Sequence, residues 1–166
     1  MGENTIVGIN DEKPTNNNAY TYCIAVDPDV PLVTIYNTSN AMTNAEQKFK
    51  NGSPLTEKIR FGNEKLIEKD NWTWQKCHSI VNNAFSAAEK LRVNDVGLII
   101  DMAIDSSTGR ILDIEFTFRN DKGFATIPIS VYRAIELELK DKVWFTLTDT
   151  GKSLNFVKRL WRQEVK

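Results

Sequence analysis

Cys77 and His78 are the residues of this chain that most resemble catalytic machinery, and they are direct neighbours in the segment NWTWQKCHSIVNNAF (residues 71–85). A thiol nucleophile needs a base within hydrogen-bonding reach. Apolar residues recur in this segment at steps of three and four, which predicts an amphipathic helix. Neighbours on a helix point in directions about 100° apart and do not face each other. We therefore predict that Cys77 is a core residue, that His78 lies at the edge of the apolar stripe or in solvent, and that the chain has no catalytic residue.

Three carboxylates, Asp101, Asp113 and Glu115, lie on two strand-like runs that a short loop connects. If the apolar faces of the two runs coincide, Asp101 lies opposite Asp113 or Glu115, and like charges in that position destabilise a sheet. A bound cation would compensate, and so would Lys158 or Arg162 from a neighbouring strand. We favour the lysine or arginine, because a hard cation needs more oxygen ligands than these residues supply.

The segment TDTGKS (residues 148–153) resembles the end of a phosphate-binding loop but does not complete the motif. Thr146 stands where GxxxxGK[ST] requires its first glycine, and strand-like sequence follows instead of a helix. No cysteine and histidine spacing typical of a metal site occurs. We therefore predict no cofactor and no metal site.

Four tryptophans leave two interpretations open. They line a binding groove, or they belong wholly or half to the core. Trp72 is the best candidate for an exposed ring, because it lies off the helical stripe that contains Trp74. The predicted binding surface accordingly comprises aromatic and acidic side chains: Trp72, Trp144, Asp101, Asp113 and Glu115.

The overall composition is that of a folded domain with almost balanced charge. The chain has 166 residues and a net charge of -1, from 21 lysines and arginines against 22 aspartates and glutamates. This balance argues against a nucleic-acid-binding protein, which usually carries a strong basic excess. No apolar run approaches the roughly 20 residues of a membrane-spanning helix, so we predict no transmembrane segment.

The start of the chain and its two cysteines bear on location. MGENTIVGIN lacks the basic and apolar regions of a signal peptide. The protein is therefore expected to be cytoplasmic if the chain is full length, or exported if the chain begins at a mature N-terminus. Cys23 and Cys77 are either two buried thiols or one disulfide, and a disulfide would imply export.

The sequence predicts a disordered tail over residues 1–19 and a single domain over residues 20–166. The tail is polar, rich in asparagine and interrupted by Pro14. Alternating apolar residues and turn signals predict a strand at each of several places: residues 20–26, 32–37, 55–62, 97–105, 110–119, 124–129, 143–148 and 154–165. Helical spacing predicts three helices: a short one within residues 43–52, one from Trp74 to Leu91, and one over residues 131–143 capped by Ser130.

The hairpin VGLIIDMAIDSSTGRILDIEFTF and the order of elements over residues 73–148 resemble the C-terminal domain of TonB. The ending LTDTGKSLNFVKRLWRQEV is similar to that of small exported proteins of unknown function from gut bacteria. These resemblances imply a periplasmic or secreted location and a sheet edge able to accept a peptide strand. The sequence predicts no N-terminal membrane anchor and no proline-rich spacer, so the force-transmitting role of TonB is not implied.

We predict an α+β fold in which a mostly antiparallel sheet packs on one face against two helices. We expect a non-catalytic interaction module of the bacterial envelope or exterior that binds a protein or peptide partner, with no nucleic acid involved. The alternative is a domain that binds a small molecule or polymer in a pocket between sheet and helices.

Overall fold

One antiparallel sheet forms the frame of the fold. The structure is a computed structural model that describes residues 6–9, 21–27, 29–94 and 96–166. Six strands lie in the order β1-β2-β3-β5-β4-β6, and every neighbouring pair is antiparallel. Their bounds are β1 Ile6–Ile9, β2 Thr21–Val26, β3 Leu32–Asn37, β4 Gly97–Asp105, β5 Ile111–Arg119 and β6 Phe156–Glu164.

Five helices of the described chain accompany the sheet, and two of them are long enough to cover it. The helices are α1 Glu57–Arg60, α2 Thr73–Ala84, α3 Ala87–Arg92, α4 Ile129–Lys142 and α5 Asp149–Lys152, with a 3-10 helix at Gly123–Thr126. The ring of Tyr132 in α4 packs against the ring of Phe116 in β5, with the two ring centroids 5.1 Å apart. The predicted α+β fold, with an antiparallel sheet against two helices, is therefore confirmed.

Alternation along β4 defines the two faces of the sheet. Its even-numbered residues are fully buried on the side of α2 and α4, which we call the helix face: Leu98, Ile100, Met102 and Ile104. Its odd-numbered residues Ile99, Asp101 and Ala103 define the opposite side, which we call the far face. Side chains of successive strand residues point to opposite faces, so the predicted hairpin places its carboxylates away from the helices.

A β-bulge changes the end of this hairpin. The register between β4 and β5 shifts between Ala103 and Ile104, so that Ile104 pairs with Ile111. Ile111 is therefore buried and Leu112 is exposed. Unbroken alternation along residues 110–119 would place Leu112 on the apolar face with Ile114, and this expectation is wrong because a bulge reverses the alternation at the point where it inserts a residue.

Glu136 of α4 is a fully buried carboxylate that ties this helix to the sheet. Lys140 Nζ lies 2.9 Å and Arg133 Nη1 lies 3.2 Å from its Oε1, and the Tyr22 hydroxyl of β2 donates a hydrogen bond to its Oε2. Burial raises the pKa of Glu136, but the hydrogen bonds from Lys140 and Tyr22 and the two positive charges outweigh burial and hold that pKa below its usual value.

The predicted single helix from Trp74 to Leu91 is divided in two. It ends after Ala84, and Ser86 starts α3 with a capping box, because its hydroxyl accepts from the Glu89 backbone N–H and the Glu89 side chain accepts from the Ser86 N–H. Such a cap favours a new helix start over continuation. Leu91 consequently lies on a different surface and is 80% exposed.

Residues 38–62 differ most from the prediction. The predicted helix within residues 43–52 is absent, because Gly52 at φ +90° turns the chain and Lys48 bridges to Pro54. The predicted strand over residues 55–62 is wrong, since α1 forms there. Glu57 in its first turn and basic residues in its last turn complement the helix dipole.

Two further predicted strands are not formed. Residues 124–129 contain the 3-10 helix and the start of α4, with Pro128 as the N-cap instead of the predicted Ser130. Phe124 is fully buried and its carbonyl accepts a hydrogen bond from the Tyr132 hydroxyl. Packing of Phe124 against α4 therefore favours the 3-10 helix over the predicted strand. Residues 143–148 make only isolated bridges, Arg110 with Trp144 and Ile67 with Leu147.

The strands predicted over residues 20–26, 32–37 and 154–165 correspond to β2, β3 and β6. Within the predicted disordered tail, the structure describes only Ile6–Ile9. These four residues form β1 and pair with β2, so the prediction of disorder does not hold for them. Residues 1–5 and 10–20 lie outside the described part. In the described ranges the longest helix, α4, has 14 residues, and no helix combines the length and apolar content of a membrane span.

Gly109 is expected to be intolerant of substitution. It has φ +74°, and a Cβ would overlap the carbonyl oxygen of Phe145, whose N–H donates to Gly109 O at 2.8 Å. We expect Gly109→Ala to lower the free energy of unfolding by roughly 3 kcal/mol, measured by urea denaturation. Gly52→Ala is the matched control, because Gly52 has φ +90° with no atom near its Cβ position. An equal loss in both variants would show that the contact with Phe145 contributes nothing.

Candidate functional site

The outer side of β6 is an open sheet edge. β6 pairs with β4 on one side only and ends the strand order. For the backbone of residues 157–162, which we call the β6 edge, no hydrogen bond other than those to β4 occurs within the described chain. At one end Gln47 Nε2 donates to Phe156 O at 3.0 Å, and beyond the other end, after β6 finishes at Glu164, the Lys166 N–H donates to Asn82 Oδ1 at 3.2 Å. The β6 edge therefore offers unpaired backbone groups over a defined length.

Three side chains of β6 project on the far face beside this edge. Lys158 pairs with Ala103, Leu160 with Asp101 and Arg162 with Ile99. All three are exposed, and Leu160 retains 61% of its accessible surface. A cation, an apolar side chain and a second cation thus alternate along the strand.

A groove of about 850 Å³ borders β6 on the far face, and we call it the edge groove. Its opposite wall is the segment from α1 to residue 66. Four cations and two carboxylates line it, so its charge is positive overall: Arg60, Lys65, Lys158 and Arg159, with Glu64 and Asp101. Ile59, Leu66 and Leu160 supply apolar surface. The groove suits a ligand with acidic groups and a small apolar part.

Asp101 and Glu115 are directly paired across β4 and β5, as one of the two predicted registers requires. Lys158 Nζ lies 3.6 Å from Asp101 Oδ2, so the predicted compensation by a neighbouring cation is present. Burial raises the pKa of the Asp101 carboxyl, and Lys158 only partly offsets this. Burial, followed by the charge of Asp101, also raises the pKa of Glu115. Repulsion between the two carboxylates therefore destabilises this part of the sheet, and the positive charge of Lys158 reduces the effect.

Asp113 has a different task from the other two carboxylates. Its Oδ2 accepts a hydrogen bond from the Met42 backbone N–H at 2.6 Å, which holds the segment after β3 against the sheet. Among the described residues, no group of three or more histidine, cysteine, aspartate or glutamate side chains is arranged to hold a metal ion. Of the predicted acidic residues, the structure brings Asp101 to the edge groove, beside Glu115.

Trp72 and Trp144 form a separate aromatic contact. Their ring centroids lie 4.8 Å apart, and the Arg110 guanidinium lies 4.9 Å from the Trp144 centroid. Trp144 is 45% exposed, whereas Trp72 is half-buried. Neither ring lines the edge groove. The predicted aromatic and acidic residues therefore do not make one continuous lining.

Cys77 and His78 lie where the helical pattern predicts. Cys77 is fully buried in the core and carries a free thiol, while His78 is exposed. The imidazole lies 6.2 Å from the ring of Trp161 and 6.3 Å from that of Trp74. The predicted core role of Cys77 is confirmed.

The sequence analysis missed the basic side of the edge groove. Arg60 lies within residues 55–62, which strand-like spacing misassigned, and Lys65 follows that segment. The structure places both across the groove from Lys158 and Arg159. The signal present in the sequence was the run KRLWR in a predicted final strand, which has three cations in five residues.

Glu115→Gln is expected to stabilise the protein at neutral pH. The pKa of Glu115 is raised above its ordinary 4.5, so folding favours the protonated carboxyl. The contribution of the protonated carboxyl to stability is complete below pH 4.5 and is lost as the pH rises through the folded-state pKa. Ionised Glu115 therefore opposes folding at pH 7. Removing the charge should raise the free energy of unfolding by roughly 0.5 kcal/mol at pH 7, with no gain in strongly acidic buffer. Urea denaturation at both pH values measures this, and exposed Glu164→Gln is the control. A gain that is the same at both pH values would contradict the electrostatic explanation.

The Cys77 thiol is expected to be unreactive in the native state. Burial raises its pKa to about 12, and a reagent must reach a thiolate to react with it. In a Cys23→Ser background, a disulfide-exchange reagent should modify Cys77 only after urea is added. Rapid modification of the folded protein would show that the thiol is accessible.

Comparison with known proteins gives a family and a related crystal structure. The family described as Domain of unknown function (DUF5043) matches residues 10–161. The crystal structure of a DUF5043 family protein from Bacteroides uniformis ATCC 8492 is similar, with 28% identity and a TM-score of 0.83 over 98% of this chain and 86% of that chain. No curated protein matches, and none of these findings points to TonB. Because the match spans most of its length, the chain belongs to the DUF5043 family.

Proposed function

We propose that the protein is a non-catalytic interaction module that binds an extended segment of a partner protein along the β6 edge. The observation that carries this proposal is the open backbone of residues 157–162, which lies between the backbone contacts of Phe156 with Gln47 and of Lys166 with Asn82. An added strand would gain main-chain hydrogen bonds there, and side-chain contacts would supply specificity. Six residues match the length of an ordinary strand.

The charge around the edge supports an acidic partner. Lys158, Arg159 and Arg162 are all exposed on β6, and Arg60 and Lys65 line the edge groove opposite the first two. Complementary charge speeds association and disfavours wrong partners. The net charge of the whole chain is -1, so the positive character is local to this edge.

A second candidate function is the binding of a small anionic molecule or polymer in the edge groove. Its volume of about 850 Å³ lies within the roughly 300–1,000 Å³ of ordinary ligand sites. The groove lies between the far face and α1, not between the sheet and the large helices as the sequence analysis expects. A ligand confined to the groove would need no backbone group of β6, and this distinguishes the two functions.

For the location we propose the bacterial envelope or the exterior of the cell. The support is the resemblance of the C-terminal segment LTDTGKSLNFVKRLWRQEV to small exported proteins. Fractionation of cells that express the native protein tests this part separately, since recovery in the cytoplasm alone would overturn it without bearing on the β6 edge.

Site-specific photo-crosslinking tests the binding function. A photoreactive phenylalanine analogue at Leu160, which is exposed beside the edge, should crosslink one dominant partner in native cells. The same analogue at Leu137 of α4, 44% exposed, is the matched control and should not capture that partner. In the Leu160 background, Lys158→Glu with Arg162→Glu should reduce the crosslink at least tenfold, because it reverses the local charge.

Lys69→Glu with Lys76→Glu provides a charge-matched control, because both residues are exposed and lie outside the edge groove. The proposed function is wrong if the products at positions 160 and 137 are the same, if no product forms, or if both charge reversals act equally.

A further inference from the structure

The order of side chains on β6 carries information about the sequence of its partner. On the far face the strand presents Lys158, Leu160 and Arg162 at alternate positions, and each is exposed. Directly opposite side chains on neighbouring strands have Cβ atoms about 5 Å apart and interact. A strand added at the β6 edge would therefore meet a cation, an apolar side chain and a cation in that order.

Leu160 marks the centre of this pattern. It is paired with the carboxylate-bearing Asp101 on its inner side, and it borders the edge groove together with Ile59 and Leu66. An apolar side chain on an added strand would cover this exposed surface, and burial of apolar area is favourable.

The two cations differ in their present partners. Lys158 Nζ lies 3.6 Å from Asp101, and both side chains keep part of their exposure. For Arg162, no ion pair occurs among the described residues. Its guanidinium lies over Gly97, where a Cβ would overlap it. An incoming carboxylate beside Arg162 would therefore not have to displace an existing ion pair, so the contact at this position should be the stronger of the two.

Pairing of the β6 edge with that of a second copy about Leu160 is unfavourable. Two β6 strands paired antiparallel about Leu160 would place Lys158 of each directly opposite Arg162 of the other. Like charges in that position are destabilising, and charged edge strands are a known protection against self-association. In this register the edge disfavours its own sequence and favours one of opposite charge.

We infer that the partner segment is an extended strand with the pattern acidic–x–apolar–x–acidic. This inference rests on the proposed function, because it specifies what binds at the β6 edge. The pattern reads the same in both directions, so it holds for parallel and for antiparallel addition. It requires the acidic residues two positions from the apolar one, since only those positions share a face of the strand.

Synthetic peptides test the pattern with the unmodified full chain. The first has the sequence Thr-Glu-Thr-Leu-Thr-Glu-Thr. An isomer of identical composition, Thr-Thr-Glu-Leu-Glu-Thr-Thr, moves the charges to the other face, and Thr-Lys-Thr-Leu-Thr-Lys-Thr reverses them. All have blocked ends. Binding is followed by NMR titration to millimolar peptide, read from the backbone amides of residues 157–162.

We expect the first peptide to bind roughly tenfold more tightly than either of the others. It makes two favourable charge pairs, which the isomer loses and the lysine peptide replaces with repulsion. Lys158→Glu with Arg162→Glu should transfer the preference to the lysine peptide. Lys158→Gln with Arg162→Gln should abolish the preference and serves as the milder variant if the reversal impairs folding.

The outcomes separate this inference from the proposed function. Equal binding of all three peptides at residues 157–162 would overturn the pattern and leave strand addition intact. Shifts confined to Arg60, Lys65 and their neighbours would overturn both and favour an anion site in the edge groove. No shift with any peptide would also overturn the pattern, and the crosslink at position 160 would then decide the proposed function independently.

Discussion

The register of β4 is the constraint on which the rest of the structure depends. β4 is hydrogen-bonded on both sides, to β5 and to β6, and its even-numbered residues carry the core. Because side chains alternate, a slip of one residue would turn Ile100 and Met102 toward solvent and drive Asp101 under α2 and α4. Burial of the apolar set therefore fixes, at the same time, which residues of β5 and β6 reach the far face. The paired carboxylates and the basic edge are consequences of that choice.

The two sides of the sheet handle buried carboxylates in different ways. On the helix face, Glu136 is fully enclosed, and two cations with the Tyr22 hydroxyl keep its pKa low. On the far face, Asp101 and Glu115 face each other with only Lys158 close to Asp101, and their pKa values are raised, first of all by burial. The first arrangement is a satisfied structural network. The second leaves two carboxylates of like charge paired next to β6, with Lys158 offsetting the repulsion only in part.

Local sequence predicted those parts of the fold in which one periodicity dominates. The alternation around Met102 and Phe116 predicts the hairpin and one of two registers for Asp101, and the three-and-four spacing around Cys77 predicts α2. The strand predicted over residues 55–62 fails because α1 is only four residues long and buries only Ile59, too little for a helical period to show. The strand predicted over residues 124–129 fails because burial of Phe124 and the cap at Pro128 outweigh its β-like composition.

The sequence by itself determined the α+β class, the faces of β4 and of β5 beyond its bulge, and the inability of Cys77 and His78 to act together, since each of these follows from the period of a single segment. Only the tertiary structure decided that β6 is an edge, that Lys158 is the cation beside Asp101, and that Arg60 and Lys65 stand across a groove from it. Strand order and the approach of distant segments depend on long-range packing, and no local pattern encodes which strand is left without a neighbour.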